Sequence, residues 1–229
     1  MFGVTTSLGL GTVQISAGLG HVFGITETFS NQILIIMFIT LIGLISVSLG
    51  LDSGIKKLSQ INMILAVSLL LLIFVLGPTI FIINALIQNF GAYINTLLQS
   101  ATWTEVYSDS SWQNGWTLFY YSWWFAWAPF VSLFIARISY GRSIKEFIIG
   151  VLFVPSIIVF IWMGVFGNAA IYQVINETSQ ISEMVSNNLP VALFTLFDVY
   201  PMAQVLSILS LVLIVTFFVT SSDSGALVA

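Results

Sequence analysis

Stretches of apolar residues long enough to cross a bilayer recur along the chain at 2–19, 31–51, 62–84, 116–138, 146–169 and 200–222. Six membrane-spanning helices are the expectation. The first run is short and rich in small residues (Gly3, Gly9, Gly11, Ala17, Gly18), which suits close helix–helix packing. The linker at 20–30 holds His21 and Glu27. Segment 85–101 has a different pattern. Leu86, Phe90, Tyr93, Ile94, Leu97 and Leu98 recur at helical spacing, with Gln88, Asn89, Asn95 and Gln99 elsewhere on the helix. The spacing predicts an amphipathic helix that lies along the membrane surface or braces other helices. The stretch 172–198 is polar and acidic (Glu177, Glu183, Asp198) and carries a chance-level glycosylation triplet, Asn176-Glu177-Thr178.

Charge then orients the spans. The cationic side chains are Lys56, Lys57, Arg137, Arg142 and Lys145. With six spans, all of them fall in the second-to-third and fourth-to-fifth loops, on one side. The positive-inside rule makes that side cytoplasmic, so the first span runs outward and the sixth ends inside. Glu27, Glu105, Asp109, Glu177, Glu183 and Asp198 occupy the opposite loops. Asp52 and Glu146 lie beside the cytoplasmic cations, where solvated ion pairing accounts for them.

Composition agrees with this class and narrows the chemistry. The 229 residues are 58% hydrophobic and only 6% charged, with a mean hydropathy of +1.05, which describes an integral membrane protein. There is no cysteine, and His21 is the one histidine. Thiolate metal sites, histidine-based zinc sites and nucleophile–base pairs therefore have almost nothing to build on, and an enzyme is not expected. No glycine loop for nucleotide phosphates is visible, nor is a nucleic-acid partner expected. Membrane lipid is the natural surroundings. Met1 leads directly into apolar sequence and the other end reads SSDSGALVA without a cationic stop, so the chain is expected to be a piece of a longer one.

The candidate chemistry centres on Gly115 to Phe147. Aromatic rings crowd the residues from Trp116 to Trp127, and Pro129, Arg137, Arg142 and Lys145 follow. On a helix, Trp116, Trp123, Trp124 and Trp127 fall within an arc of about 100° around Tyr120. Trp127 lies roughly 16 Å from Trp116, about half the depth of a bilayer core, too deep for an interfacial belt to explain. A row of indole faces at that depth suits a cation with no N–H to donate, such as a quaternary ammonium. The alternative is that the rings simply pack against neighbouring helices.

Several polar features have the same two-sided character. Thr216, Thr220 and Asp223 share a face of the sixth span, beside Phe217, Ser221, Ser222 and Ser224. Hydroxyls and freed carbonyls there could bind a monovalent cation, or the hydroxyls could satisfy their own helix while Asp223 reaches the interface. Pro129 loosens the carbonyls near Phe125 and Ala126, either as a packing kink or as a break lining a cavity. Thr5, Thr6, Ser7 and Gln14 in the first span could line a path or bond across helices.

The run WTLFYYSWWFAWAPFVSLFIARISYGRSIKEF resembles the signature of the betaine/carnitine/choline transporters. SLGLGTVQISAGL, GLDSGIKKLSQINM, GPTIFIINAL and FFVTSSDSG resemble further stretches of that family in the same order, covering essentially the whole chain. The resemblance implies an all-α integral membrane protein. It would form part of a LeuT-type inverted-repeat core, family helices five to ten, with 85–101 as the amphipathic helix joining the repeats. It implies a secondary transporter of quaternary-ammonium compatible solutes (glycine betaine, choline or carnitine), cation-coupled, without a cofactor, in the cell membrane. By the same likeness Trp123, Trp124 and Trp127 match the family's substrate positions, and Phe119 an aromatic near a transient site. Phe217, Thr220 and Ser221 match one sodium site, and Phe130 lies near the other. Tyr121 departs from the family, standing where many members have Trp, and Val4 stands where some sodium-coupled members have Thr. The family's third and fourth helices, with half of its aromatic cage, have no counterpart here. A rival reading is an accessory or remnant membrane protein that transports nothing. The spans are also compatible with a homo-oligomer.

Overall fold

The computed structural model of the chain describes residues 2–49, 54, 56–108 and 110–228. Asp52, Asp109 and the end of the second apolar run lie outside the described residues. The described residues are helical, with no strand among them. The helices are α1 (Phe2–Phe23), α2 (Phe29–Ser48), α3 (Lys56–Leu76), α4 (Thr79–Ala101), α5 (Phe119–Ile138), α6 (Ile144–Ile148), α7 (Val154–Ile175), α8 (Ile181–Asn187), α9 (Ala192–Phe197) and α10 (Ala203–Val228). A π-helical turn, Gln113–Leu118, leads into α5, and a second one, Ile149–Phe153, joins α6 to α7. The second has a local cause. Pro155, in the first turn of α7, lacks an N–H and crowds the carbonyl four residues before it, so the ladder widens just upstream. Pro129 has no such effect: α5 runs through it as one α-helix.

Helix ends follow local chemistry. Thr28 caps α2 by accepting from the Asn31 backbone N–H at 3.3 Å. Ser143 and Glu146 form a reciprocal capping box at the start of α6, after the turn at Gly141. The apolar run expected at 62–84 is corrected: α3 stops at Leu76, before Gly77-Pro78, because proline cannot continue the ladder. Residues 79–84 therefore join the amphipathic segment in one helix, α4, rather than ending a span.

Among the described residues, six stretches are long and apolar enough to cross a membrane: α2, α3, α4, Gln113–Ile138, Ile144–Ile175 and Ala203–Asp223. The number matches the expectation, but the membership differs. α4 is in the set and α1 is not. The glycines, serines and threonines of α1 lower its hydropathy, and the helix buries one side (Ser7, Thr12, Ile15, Ser16 and Ala17) in protein while Leu10, Val13 and Phe23 stay exposed. It packs against α10, α2, α5 and the 3-10 turn Leu189–Val191. A Cβ at Gly11 would overlap the Phe218 ring, and one at Gly18 the Phe194 ring, so these two serve close packing, whereas Gly9 faces open space.

α10 is the central helix. Leu206 and Leu213 join a core with Leu69 and Ile73 of α3, Val165 and Phe166 of α7, and Phe197 of α9. Leu211 and Val219, on another side of α10, join Ile15 of α1 and Ile39 of α2. The first half of α4 runs antiparallel along α7. Phe81 meets Tyr172 at 5.2 Å between ring centroids, Asn89 donates to Asn168 at 3.3 Å, and Phe90 meets Phe160 edge-on at 5.8 Å. At the opposite end of α1 from Ser7, His21 lies 3.1 Å from the Asp198 carboxylate and stacks on Phe194 at 5.8 Å, tying α1 to α9.

Candidate functional site

α5 places its aromatic residues on two adjoining faces, as the 100° step between neighbouring helical residues requires. On one face, Trp123 and Trp127 are one turn apart and point toward α1. The indole N–H of Trp123 donates to Ser7 Oγ at 3.0 Å, and that of Trp127 donates to the same oxygen at 2.9 Å. Ser7 is buried, with 4% of its surface exposed. This approach requires Gly3, one turn before Ser7. A Cβ at Gly3 would lie 2.9 Å from the Ala126 carbonyl oxygen and 2.9 Å from Trp127 Cδ1. Helix α1 can therefore come near α5 only because that position carries no side chain.

Above this pair the rings continue in series. Trp116 stacks on Tyr120 with ring centroids 6.1 Å apart and planes 9° from parallel. Tyr120 and Phe119 each contact Trp123, at 5.9 and 5.8 Å. Below it, Trp127 packs on Phe130 at 5.3 Å, and Phe130 on Phe134 at 6.4 Å. So Phe119, Trp123, Trp127 and Phe130 are brought together along one side of the helix.

Trp124 is separate from this series. It is 70% exposed and lies on the neighbouring face, where it lines a groove of about 560 Å³ together with Trp127, Tyr121, Phe125, Phe147 and Val151. Trp127 belongs to both faces: its N–H edge reaches Ser7 while its ring helps wall the groove. The groove lining is almost wholly apolar, so π-faces and dispersion are what it can offer a ligand.

The residues singled out at the end of α10 lie in an intact helix. Thr220 Oγ1 lies 3.1 Å from the Thr216 carbonyl oxygen and 2.9 Å from that of Phe217. Thr216 bonds back to Val212 in the same way, at 2.9 Å. Thr220 also accepts from Asn62 Nδ2 of α3 at 3.2 Å, and Asn62 Oδ1 is buried without a hydrogen-bond partner. Ser221 is half-buried and Phe217 is 42% exposed. Asp223 does not reach a solvated interface. It is 1% exposed and accepts from Ser46 Oγ of α2 at 2.7 Å. Phe130, on α5, packs on Trp127. Among the described residues no cluster of three His, Cys, Asp or Glu side chains could hold a metal ion.

Sequence reasoning placed Ser7 in a polar cluster without linking it to the tryptophans, and passed over Asn62 and Ser46 entirely. Each is a polar residue at the edge of or within an apolar run with other polar residues close by (Thr5 and Thr6, Gln60, Ser48), and nothing in that pattern names a partner. Their partners lie more than a hundred residues away.

Comparison with known proteins gives a consistent picture. The family profile described as "BCCT, betaine/carnitine/choline family transporter" matches residues 1–229. A glycine betaine transporter of Acinetobacter baylyi is 43% identical over the whole chain, which covers 35% of that relative. A glycine betaine/proline/choline transporter of Vibrio parahaemolyticus is 44% identical, again over all of this chain and 41% of its own length. A glycine betaine transporter of Bacillus subtilis is 42% identical over 99% of the chain and 44% of its own length. The chain thus spans less than half the length of each of these relatives.

Proposed function

The chain belongs to the betaine/carnitine/choline transporter family, and from that premise we propose that the protein containing it carries glycine betaine, choline or a related quaternary-ammonium osmoprotectant across the cell membrane. The observation that carries this reading is the groove in which the rings of Trp124 and Trp127 share an apolar wall. A trimethylammonium group is a large, weakly hydrated cation with no N–H. It gains from aromatic quadrupoles and loses little by leaving hydrogen-bonding partners. Trp124 and Trp127 would form one wall around that group, with Trp123 and Phe119 continuing the aromatic surface toward the outer end of α5. The facing wall would come from parts of the protein outside this chain.

Coupling to sodium belongs to the same proposal. Thr220, Ser221 and the Phe217 carbonyl would supply oxygen ligands from α10, and Phe130 would act near a second ion position. The orphaned Asn62 Oδ1 beside Thr220 supports this, because a buried amide oxygen without a donor is costly unless a cation or water meets it. An ion that binds one access state better than the other would bias the alternation that moves substrate.

The test is uptake of radiolabelled glycine betaine by the complete protein in proteoliposomes. Trp127→Ala removes the ring shared by both faces and is expected to raise the half-saturation constant at least tenfold, about 1.4 kcal/mol or more. Saturable uptake with an unchanged constant would overturn the aromatic assignment. No uptake by the parent protein of any quaternary amine would favour an accessory role instead.

A further inference from the structure

We propose that Ser7 is the positioning residue of the aromatic site, a single acceptor on α1 that fixes the orientation of two tryptophan rings on α5. This rests on the reading of Trp123 and Trp127 as substrate-facing residues. A serine oxygen has two lone pairs, and the two indole N–H groups at 3.0 and 2.9 Å occupy both. An indole has one N–H, in the ring plane, and no acceptor. Anchoring that edge sets the rotation of the ring about its own side-chain axis and leaves its face free. A quaternary ammonium needs the face and has no use for the edge, so an edge-anchored indole is oriented for this ligand without competing for it.

Burial strengthens the constraint. Ser7 is 4% exposed, so water does not readily take the place of its oxygen. If the hydroxyl is lost, both indole donors lose their acceptor together. The bonds also connect two packing units. α1 is held against α10 and α2, whereas α5 carries the tryptophans, and Gly3 allows the approach. Any sliding of α5 along α1 breaks both bonds at once. The two rings therefore keep their orientation in one relative placement of the helices and release it as a unit in another.

The experiment uses the complete protein and three variants, Ser7→Ala, Ser7→Cys and Ser7→Thr. Two properties are measured: betaine uptake in proteoliposomes, and the indole N–H hydrogen-bonding signal in ultraviolet resonance Raman difference spectra of substrate-free protein. Trp123→Phe and Trp127→Phe assign the two rings in those spectra. Ser7→Ala is expected to weaken the hydrogen-bonding signal of both rings together. It should also raise the half-saturation constant on the order of ten- to a hundredfold, with a smaller change in maximal rate. Ser7→Cys, close to serine in volume but a weak acceptor, should do the same and serves if the alanine variant does not fold. Ser7→Thr, which keeps the hydroxyl, should restore most of both signals. An unchanged Raman signal for either ring in Ser7→Ala or Ser7→Cys overturns the proposal, as does an unchanged half-saturation constant in those variants when Trp127→Ala raises it. If Trp127→Ala leaves uptake intact while the Raman shift occurs, the transport reading fails and the positioning of the rings by Ser7 stands.

Discussion

The aromatic face of α5 and the hydroxyl-rich end of α10 are both polar interruptions in apolar helices, yet they satisfy their hydrogen bonds in opposite directions. On α5, the indole N–H groups of Trp123 and Trp127 leave their own helix and meet on Ser7 of α1. On α10, the hydroxyls of Thr216 and Thr220 turn back onto carbonyls of the preceding turn. Reach explains the contrast. A threonine hydroxyl sits one bond from Cβ and finds the carbonyl three or four residues back. An indole N–H lies beyond its own backbone and must find a partner on another element. Aromatic polar groups in a membrane helix therefore report tertiary structure, while hydroxyls are ambiguous until the structure is known.

The largest effect should come from blocking the approach that the α5 side depends on. Gly3→Ala would put a Cβ 2.9 Å from the Ala126 carbonyl oxygen and from Trp127 Cδ1. Backbone cannot yield as a flexible side chain does, so α1 and α5 must separate, at a cost of about 1–3 kcal/mol in packing. Both Ser7 bonds lengthen with it. The expected outcome is a loss of betaine uptake greater than tenfold, together with earlier thermal aggregation in detergent. Uptake and heat stability equal to the parent would mean the two helices can part without consequence, and the contrast drawn above would lose its α5 half.

A smaller effect is expected at α10. Thr220→Val removes the hydroxyl but keeps the shape, and leaves Asn62 Nδ2 without the acceptor it has at 3.2 Å. If Thr220 contributes to an ion site, the half-saturation constant for sodium should rise several-fold, by about 1 kcal/mol, while that for betaine moves less. Thr220→Ser should behave like the parent. If the hydroxyl only satisfies its own helix, neither constant moves beyond error, and the ligand assignments of Thr220, Ser221 and Phe217 fall together.

How much of this was legible beforehand follows the same division. The helical class, the run that became α5 and the shared side of Trp123 and Trp127 were readable from spacing alone. So was the packing role of Gly11 and Gly18, because small residues in a helix need a close neighbour whatever that neighbour is. The single stripe of tryptophans was not quite right: Trp124 is one residue from Trp123, and that step carries it onto the groove. The boundary of α3 is hidden in the sequence because apolar character continues past Gly77-Pro78, although the helix does not. Asp223, which the sequence leaves open between part of a cation site and an interfacial acid, is buried against Ser46 of α2. That pairing spans 177 residues of sequence, and no local pattern encodes it.

The gentlest perturbation tests where the two regions stand in the membrane. Lys56 and Lys57 open α3, and Arg137, Arg142 and Lys145 surround the α5–α6 turn. These fall on one side only if α4 does not cross, although α4 is long and apolar enough to do so. If α4 crossed, the two cationic loops would face opposite compartments, against the positive-inside rule. Leu86 of α4 packs inward near Gly164 while Leu98 is 81% exposed, an arrangement that either placement of α4 allows. The chain has no cysteine, so single cysteines can be introduced without background from it. Tyr107, 101% exposed, lies between α4 and α5, and Tyr140, 95% exposed, lies between α5 and α6. In intact cells, Tyr107→Cys should react with a membrane-impermeant maleimide and Tyr140→Cys should react only after the membrane is opened, with uptake unchanged in both. That outcome sets the aromatic end of α5 near the outer face and the hydroxyl end of α10 near the inner one. The reverse labelling would put α4 across the membrane and invert α5 relative to α3.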